Sequence, residues 1–122
     1  MVKKIFIVED NEKNMSLFNA ILKTIPDIEV KSAERGDEGF EMIKQGEPDL
    51  IILDVQLPGM NGIEICKELR KIEKFNELPI IAVTAFTMKG DQERIMAAGF
   101  TEYISKPIRV KNFKETVSGY IT

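Results

Sequence analysis

Histidine and tryptophan are absent from the sequence, and cysteine occurs once, as Cys66. The lack of histidine excludes Ser-His-Asp and Cys-His catalysis, histidine metal sites and histidine pH switches. A lone cysteine excludes an internal disulfide and a zinc site built on several thiolates. It fits a reducing compartment, so a cytoplasmic location is expected. No stretch approaches the roughly 18 apolar residues of a membrane span. The N-terminus passes from Ile5-Phe6-Ile7-Val8 directly to Glu9-Asp10, which is no signal-peptide core. Charge of one sign is not in large excess: 17 basic and 20 acidic residues leave a net charge of −3. That weighs against direct nucleic-acid binding, which needs a clustered positive surface.

What is present is ordinary for a globular chain. The sequence has 122 residues, 43% of them hydrophobic and 30% charged. One domain over residues 1–122 is expected, with enough chain for its own core. Apolar runs alternate with amphipathic stretches from end to end, without repeat, linker or low-complexity segment. Lys4–Val8, Ile28–Ser32, Asp49–Asp54, Ile80–Thr84 and Thr101–Ser105 read as strands, the central ones nearly all apolar. Between them, helices are predicted from Asn11 as cap to a stop at Pro26, over Gly36–Gln45, from about Ile63 to Ile72, around Asp91 to Ala98, and over Val110–Tyr120. Pro58-Gly59-Met60-Asn61-Gly62 is turn chemistry. The fold class is therefore α/β: a doubly wound sheet of five parallel strands with helices on both faces.

Open sheets of this kind bind ligands beyond the carboxyl ends of their strands. Those ends carry Glu9 and Asp10, Asp54, Thr84, and Lys106 before Pro107. Acids gathered on one rim repel one another unless a cation intervenes. The available ligands are all oxygens, a set that suits Mg²⁺. In this reading Asp54 is a nucleophile that forms an aspartyl phosphate. Glu9 and Asp10 hold Mg²⁺ directly or through water, joined by Asp54 and the backbone carbonyl of Gln56. Lys106 offsets charge on a transferring phosphoryl group, and the Thr84 hydroxyl meets a phosphoryl oxygen.

Glu9-Asp10-Asn11, Asp54 within Leu50–Gly62, Val83-Thr84-Ala85 and Tyr103-Ile104-Ser105-Lys106-Pro107 together resemble a response-regulator receiver domain of two-component signalling, similar to chemotaxis regulators. The match runs over essentially the whole chain with every motif in order. The resemblance implies a flavodoxin-like sheet of strand order 2-1-3-4-5 and a phosphorelay signal-transduction role. The phosphodonor would be a histidine kinase or a histidine phosphotransfer protein. It also implies Asp54 as phosphoacceptor, Glu9 and Asp10 as the acidic pair, Thr84 and Tyr103 as a switch pair, Lys106 as the site lysine, and a cis Lys106–Pro107 bond. A downstream protein would read the face of the fourth and fifth strand-helix units. The acidic pair is Glu-Asp where Asp-Asp is the family's usual pattern. This opening is similar to that of single-domain cell-cycle regulators and hybrid-kinase receivers. No output domain follows Thr122, so either a stand-alone regulator or a receiver cut from a longer chain is expected.

Other readings stand beside this one. Asp54 at a strand end, Lys106 on a surface, Thr84 in a strand, Tyr103 against a core and Cys66 in a helix stripe each have a purely structural explanation. An aspartyl-phosphate phosphatase also uses a strand-end Asp, but it resembles a pattern with a second Asp two residues on, where this chain has Gln56. Slow self-dephosphorylation, tuned by Gln56 and Phe86 through water access, is compatible with that. A flavin or nucleotide binder would place a phosphate cradle where Glu9-Asp10-Asn11-Glu12 stands. A phosphorylation-independent interaction module would not need the acids.

Overall fold

A parallel strand buried on both faces must be apolar at every position, whereas an edge strand alternates. The computed structural model, which describes residues 2–85 and 89–121, follows that rule. The strands are β1 (Lys3–Val8), β2 (Ile28–Ala33), β3 (Leu50–Asp54), β4 (Ile80–Thr84) and β5 (Glu102–Ser105). Every residue of β3 and β4 is buried, while no residue of the edge strand β2 is. The sheet is parallel throughout, in the order β2-β1-β3-β4-β5. The helices are α1 (Glu12–Leu22), α2 (Gly36–Gln45), α3 (Gly62–Arg70), α4 (Lys89–Ala97) and α5 (Val110–Ile121).

The sheet divides the core in two. On one side Ile5, Ile7, Leu50 and Ile52 pack against Phe18 and Leu22 of α1 and Phe113 and Val117 of α5. The Phe18 and Phe113 rings stack at 4.9 Å between centroids. On the other side Phe6, Val8, Ile51 and Leu53 meet Ile43 of α2, Ile65 and Leu69 of α3, and Ile95 of α4. Each such fully buried side chain contributes about 1.5–3 kcal/mol of apolar transfer. Two cores sharing one sheet therefore hold the strand ends in register, which is what the rim chemistry requires.

Helix ends differ from expectation in instructive places. Asn11 caps α1, its side-chain oxygen accepting from the Asn14 amide at 3.0 Å. The helix stops at Leu22, ahead of Pro26. Thr24 donates its hydroxyl to the Ile21 carbonyl at 2.6 Å, and i-to-i+3 bonds tighten the last turn. Helix α3 ends at Arg70, not Ile72. Ile72 is extended, and a 3-10 turn, Glu73–Phe75, follows that the sequence reading did not foresee. Helix α4 starts at Lys89 and β5 at Glu102, each displaced from the expected start. The Lys106–Pro107 peptide is cis.

Candidate functional site

Strand β1 ends at Val8, and the chain leaves it with Glu9 buried and Asp10 exposed. Neighbouring β3 ends on Asp54, which is 5% exposed. One carboxylate oxygen from each of Glu9, Asp10 and Asp54 lies within 4.8 Å of the other two. From the far edge of the sheet Lys106 reaches in, its Nζ 3.0 Å from Asp54 Oδ2 and 3.3 Å from Glu9 Oε1. The backbone holds it there: the Lys106 amide donates to the Thr84 carbonyl at 2.8 Å. Four predicted site residues from three strand ends are thus brought together.

The charges do not balance. Two like charges about 5 Å apart repel by roughly 3 kcal/mol at an effective dielectric near 20. One ammonium cannot neutralise three carboxylates. Glu9 carries most of the strain. Its Oε2 accepts from the Asn11 amide at 3.2 Å, but buried Oε1 has no well-aligned donor and meets Lys106 as an ion pair at 3.3 Å. Burial, followed by the hydrogen-bonded and charged Asp54 carboxyl, pushes Glu9 from 4.5 up to about 7. Burial opposes the charge on Lys106. The hydrogen bond and charge of Asp54, with Glu9 behind it, outweigh burial and raise its pKa above the ordinary lysine value. An orphaned buried oxygen in an all-oxygen cluster with excess negative charge fits a hard divalent cation such as Mg²⁺.

The remaining predicted residues sit around this cluster. The Gln56 amide donates to Asp54 Oδ1 at 3.2 Å, so the chain just past β3 folds back on the carboxylate. A cleft of about 670 Å³ opens beside it, lined by Asp10, Gln56, Leu57, Pro58, Asn61 and Arg94 among others. Thr84 is 1% exposed and follows Val83, the register partner of Asp54. Tyr103 pairs with Ala82, two residues before Thr84, so both side chains project to the same sheet face. Tyr103 is half-buried against the α3–α4 side of the core and is not part of the acid cluster. Phe86 lies outside the described residues.

Two residues escaped the sequence reading. Asn61 caps α3, accepting from the Glu64 amide at 2.9 Å while its own amide reaches the Glu64 carboxylate at 2.7 Å. The Asn-x-x-Glu spacing was the available signal. Arg70 is the other, at the opposite end of the sheet. Its guanidinium donates to the carbonyls of Gly99, Phe75 and Leu78 at 2.9, 2.7 and 2.7 Å. A cation in a last helical turn was the only hint.

A family model described as the response regulator receiver domain matches residues 5–118. The chain belongs to the response-regulator receiver family. It is 45% identical over 121 residues to the polar-differentiation response regulator DivK of Brucella ovis, covering 99% of this chain and 98% of that one. Among solved structures it resembles the receiver domain of a Pseudomonas aeruginosa sensor histidine kinase, which has magnesium coordinated in its active-site cleft. That pair has a TM-score of 0.89 and 28% identity, over 99% of this chain and 98% of the other. The chemotaxis response regulator CheY4 of Vibrio cholerae aligns with a TM-score of 0.90 and 25% identity, over 98% and 99% of the two chains. Receiver domains of two-component systems are phosphoacceptor switches served by histidine kinases, and the acid cluster of this receiver is compatible with their Mg²⁺. Among the described residues no helix is long and apolar enough to cross a membrane.

Proposed function

We propose that residues 1–122 form one receiver domain that accepts a phosphoryl group on Asp54 from a phosphohistidine donor and so changes its affinity for a partner protein. The observation that carries this reading is the buried Asp54 carboxylate, paired to Lys106 at 3.0 Å beside two further acids. An Asp54 oxygen attacks phosphorus as the phosphorus–nitrogen bond of the donor breaks, and the departing imidazole takes its proton from solvent. Glu9, Asp10, Asp54 and the Gln56 carbonyl would hold Mg²⁺, which supplies charge neutralisation at the phosphoryl oxygens. Lys106, 3.0 Å from Asp54 Oδ2, offsets the remaining negative charge. Residues 1–122 contain no histidine, so the phosphohistidine lies outside this domain.

The switch follows from the strand ends. Phosphorylation adds charge and acceptor oxygens at Asp54. The Thr84 hydroxyl turns to donate to one of them, and Tyr103, on the same sheet face, moves into the space released. The surface of α4, β5 and α5 then presents a different shape to the downstream protein. Water entering past Gln56 hydrolyses the acyl phosphate slowly, with no carboxylic acid at position 56 to protonate the leaving group.

Intact-mass measurement after incubation with acetyl phosphate tests the reading. The native chain should gain one phosphoryl group in the presence of Mg²⁺ and none without it, and Asp54→Ala should gain none while keeping its fold. Phosphoryl uptake by folded Asp54→Ala would assign the chemistry to another residue.

A further inference from the structure

Helix α2 contributes no group to the acid cluster, yet its first residue bears on it. Gly36 is buried, and its amide donates to the Pro58 carbonyl at 2.9 Å. A Cβ built on Gly36 would lie 1.6 Å from the Met60 carbonyl oxygen and 2.6 Å from its carbon. Both atoms are backbone, so no side-chain rotation relieves the clash. Restoring van der Waals distance would separate helix and loop by on the order of 1.5 Å.

The segment displaced would be the loop from Val55 to Asn61. It carries the Gln56 amide that bonds Asp54 Oδ1, and it walls the cleft beside Asp10. The loop is pinned at its base, where the Gly62 amide donates to the Val55 carbonyl at 2.8 Å. Its crown rests on the start of α2. Gly59 has φ +83°, a left-handed conformation, and a Cβ there would meet the Asp37 carboxylate at 2.4 Å. Loop and helix therefore approach to backbone contact, in the same loop whose first residues hold the Gln56 amide 3.2 Å from Asp54 Oδ1.

We infer that Gly36 is a positioning residue for the divalent-cation site: by lacking a side chain it lets α2 seat the Val55–Asn61 loop, and through it Gln56, against Asp54. The inference rests on the proposed Mg²⁺ role of that site. A shift of about 1 Å in a catalytic support can change rates by ~10²-fold.

Gly46, at the other end of α2, provides the control. A Cβ there would strike the Phe6 ring at 2.5 Å. Gly46→Ala overpacks the core without touching the loop or the strand end that carries Glu9. Mg²⁺ titration of the folded proteins, followed by chemical-shift change, should give at least tenfold weaker binding for Gly36→Ala and native-like binding for Gly46→Ala, although both melt earlier. Equal Mg²⁺ affinity in native chain and folded Gly36→Ala overturns the role of Gly36 alone. Failure of the native chain to bind Mg²⁺ overturns the site reading and this inference together.

Hydrogen exchange on the native protein tests the same coupling should Gly36→Ala not fold. If loop seating favours Mg²⁺, linkage requires Mg²⁺ to favour loop seating. Added Mg²⁺ should then slow exchange of the Gly36 amide, bonded to Pro58, more than that of the Gly39 amide, bonded to Arg35. Equal slowing of the two amides counts against the inference.

Discussion

The two ends of the sheet each hold charge against the protein, and they treat it in opposite ways. At the amino end, Arg70 places its cation among neutral acceptors: three carbonyls, with Thr101 Oγ1 beyond them at 3.4 Å. The knot joins α3, the 3-10 turn, the entry to β4 and the turn before β5. At the carboxyl end, three carboxylates cluster with one ammonium, which reaches only Glu9 and Asp54, and one buried oxygen of Glu9 stays without an aligned donor. Satisfied charge makes a brace; unsatisfied charge makes a site that a cation or a phosphoryl group can alter. The contrast places the brace and the proposed site at opposite ends of the same strands.

Arg70→Met is the sharpest way to break that contrast. It keeps the apolar stem and strips the donors from three carbonyls. It should cost about 3 kcal/mol, a fall in melting temperature of roughly 10 °C or more, with Mg²⁺ affinity unchanged. A melt indistinguishable from the native one would show that the knot is no brace.

The acid end should respond to pH instead. Glu9 titrates near 4.5 when unfolded and at about 7 in the metal-free fold. The folded state holds its proton more tightly between those values. The contribution is therefore fully present below about 4.5 and lost as pH rises through about 7. Metal-free melts should lose on the order of 3 kcal/mol across that window. Glu9→Gln should flatten the curve, and so should saturating Mg²⁺, which competes with the proton. A metal-free profile unaltered by Glu9→Gln would place the titration elsewhere.

The smallest effect concerns Cys66, between the two ends. Burial pushes its thiol up to about 11, against the pull of Arg70. Thiol reagents at neutral pH should leave the native protein unlabelled and react promptly once it is unfolded. Fast native labelling would mean that the core on the α3 side opens far more readily than its packing implies.

The fold was legible because its central strands are unbroken apolar runs separated by capped, periodic helices. Leu50–Asp54 and Ile80–Thr84 are assigned by composition alone. The acid cluster was legible because parallel α/β sheets gather their strand ends, so a residue's place in a strand gives its place on the rim. Other features depend on contacts between residues distant in sequence. Arg70 looks like a surface cation until Gly99 and Leu78 are brought to it, 29 and 8 residues away. The early end of α1 goes with the Thr24 hydroxyl and i-to-i+3 backbone bonds that close its last turn, local contacts that periodicity does not register. Gly36 read as a helix residue, because its use lies in the loop that crosses it.

The ammonium that faces Asp54 stands 52 residues further along the chain. During synthesis from the N-terminus, the three carboxylates emerge before the lysine that partly neutralises them. The last strand thus completes the cluster: without β5 and the Lys106 that follows it, Glu9 and Asp54 would face each other with no ammonium between them.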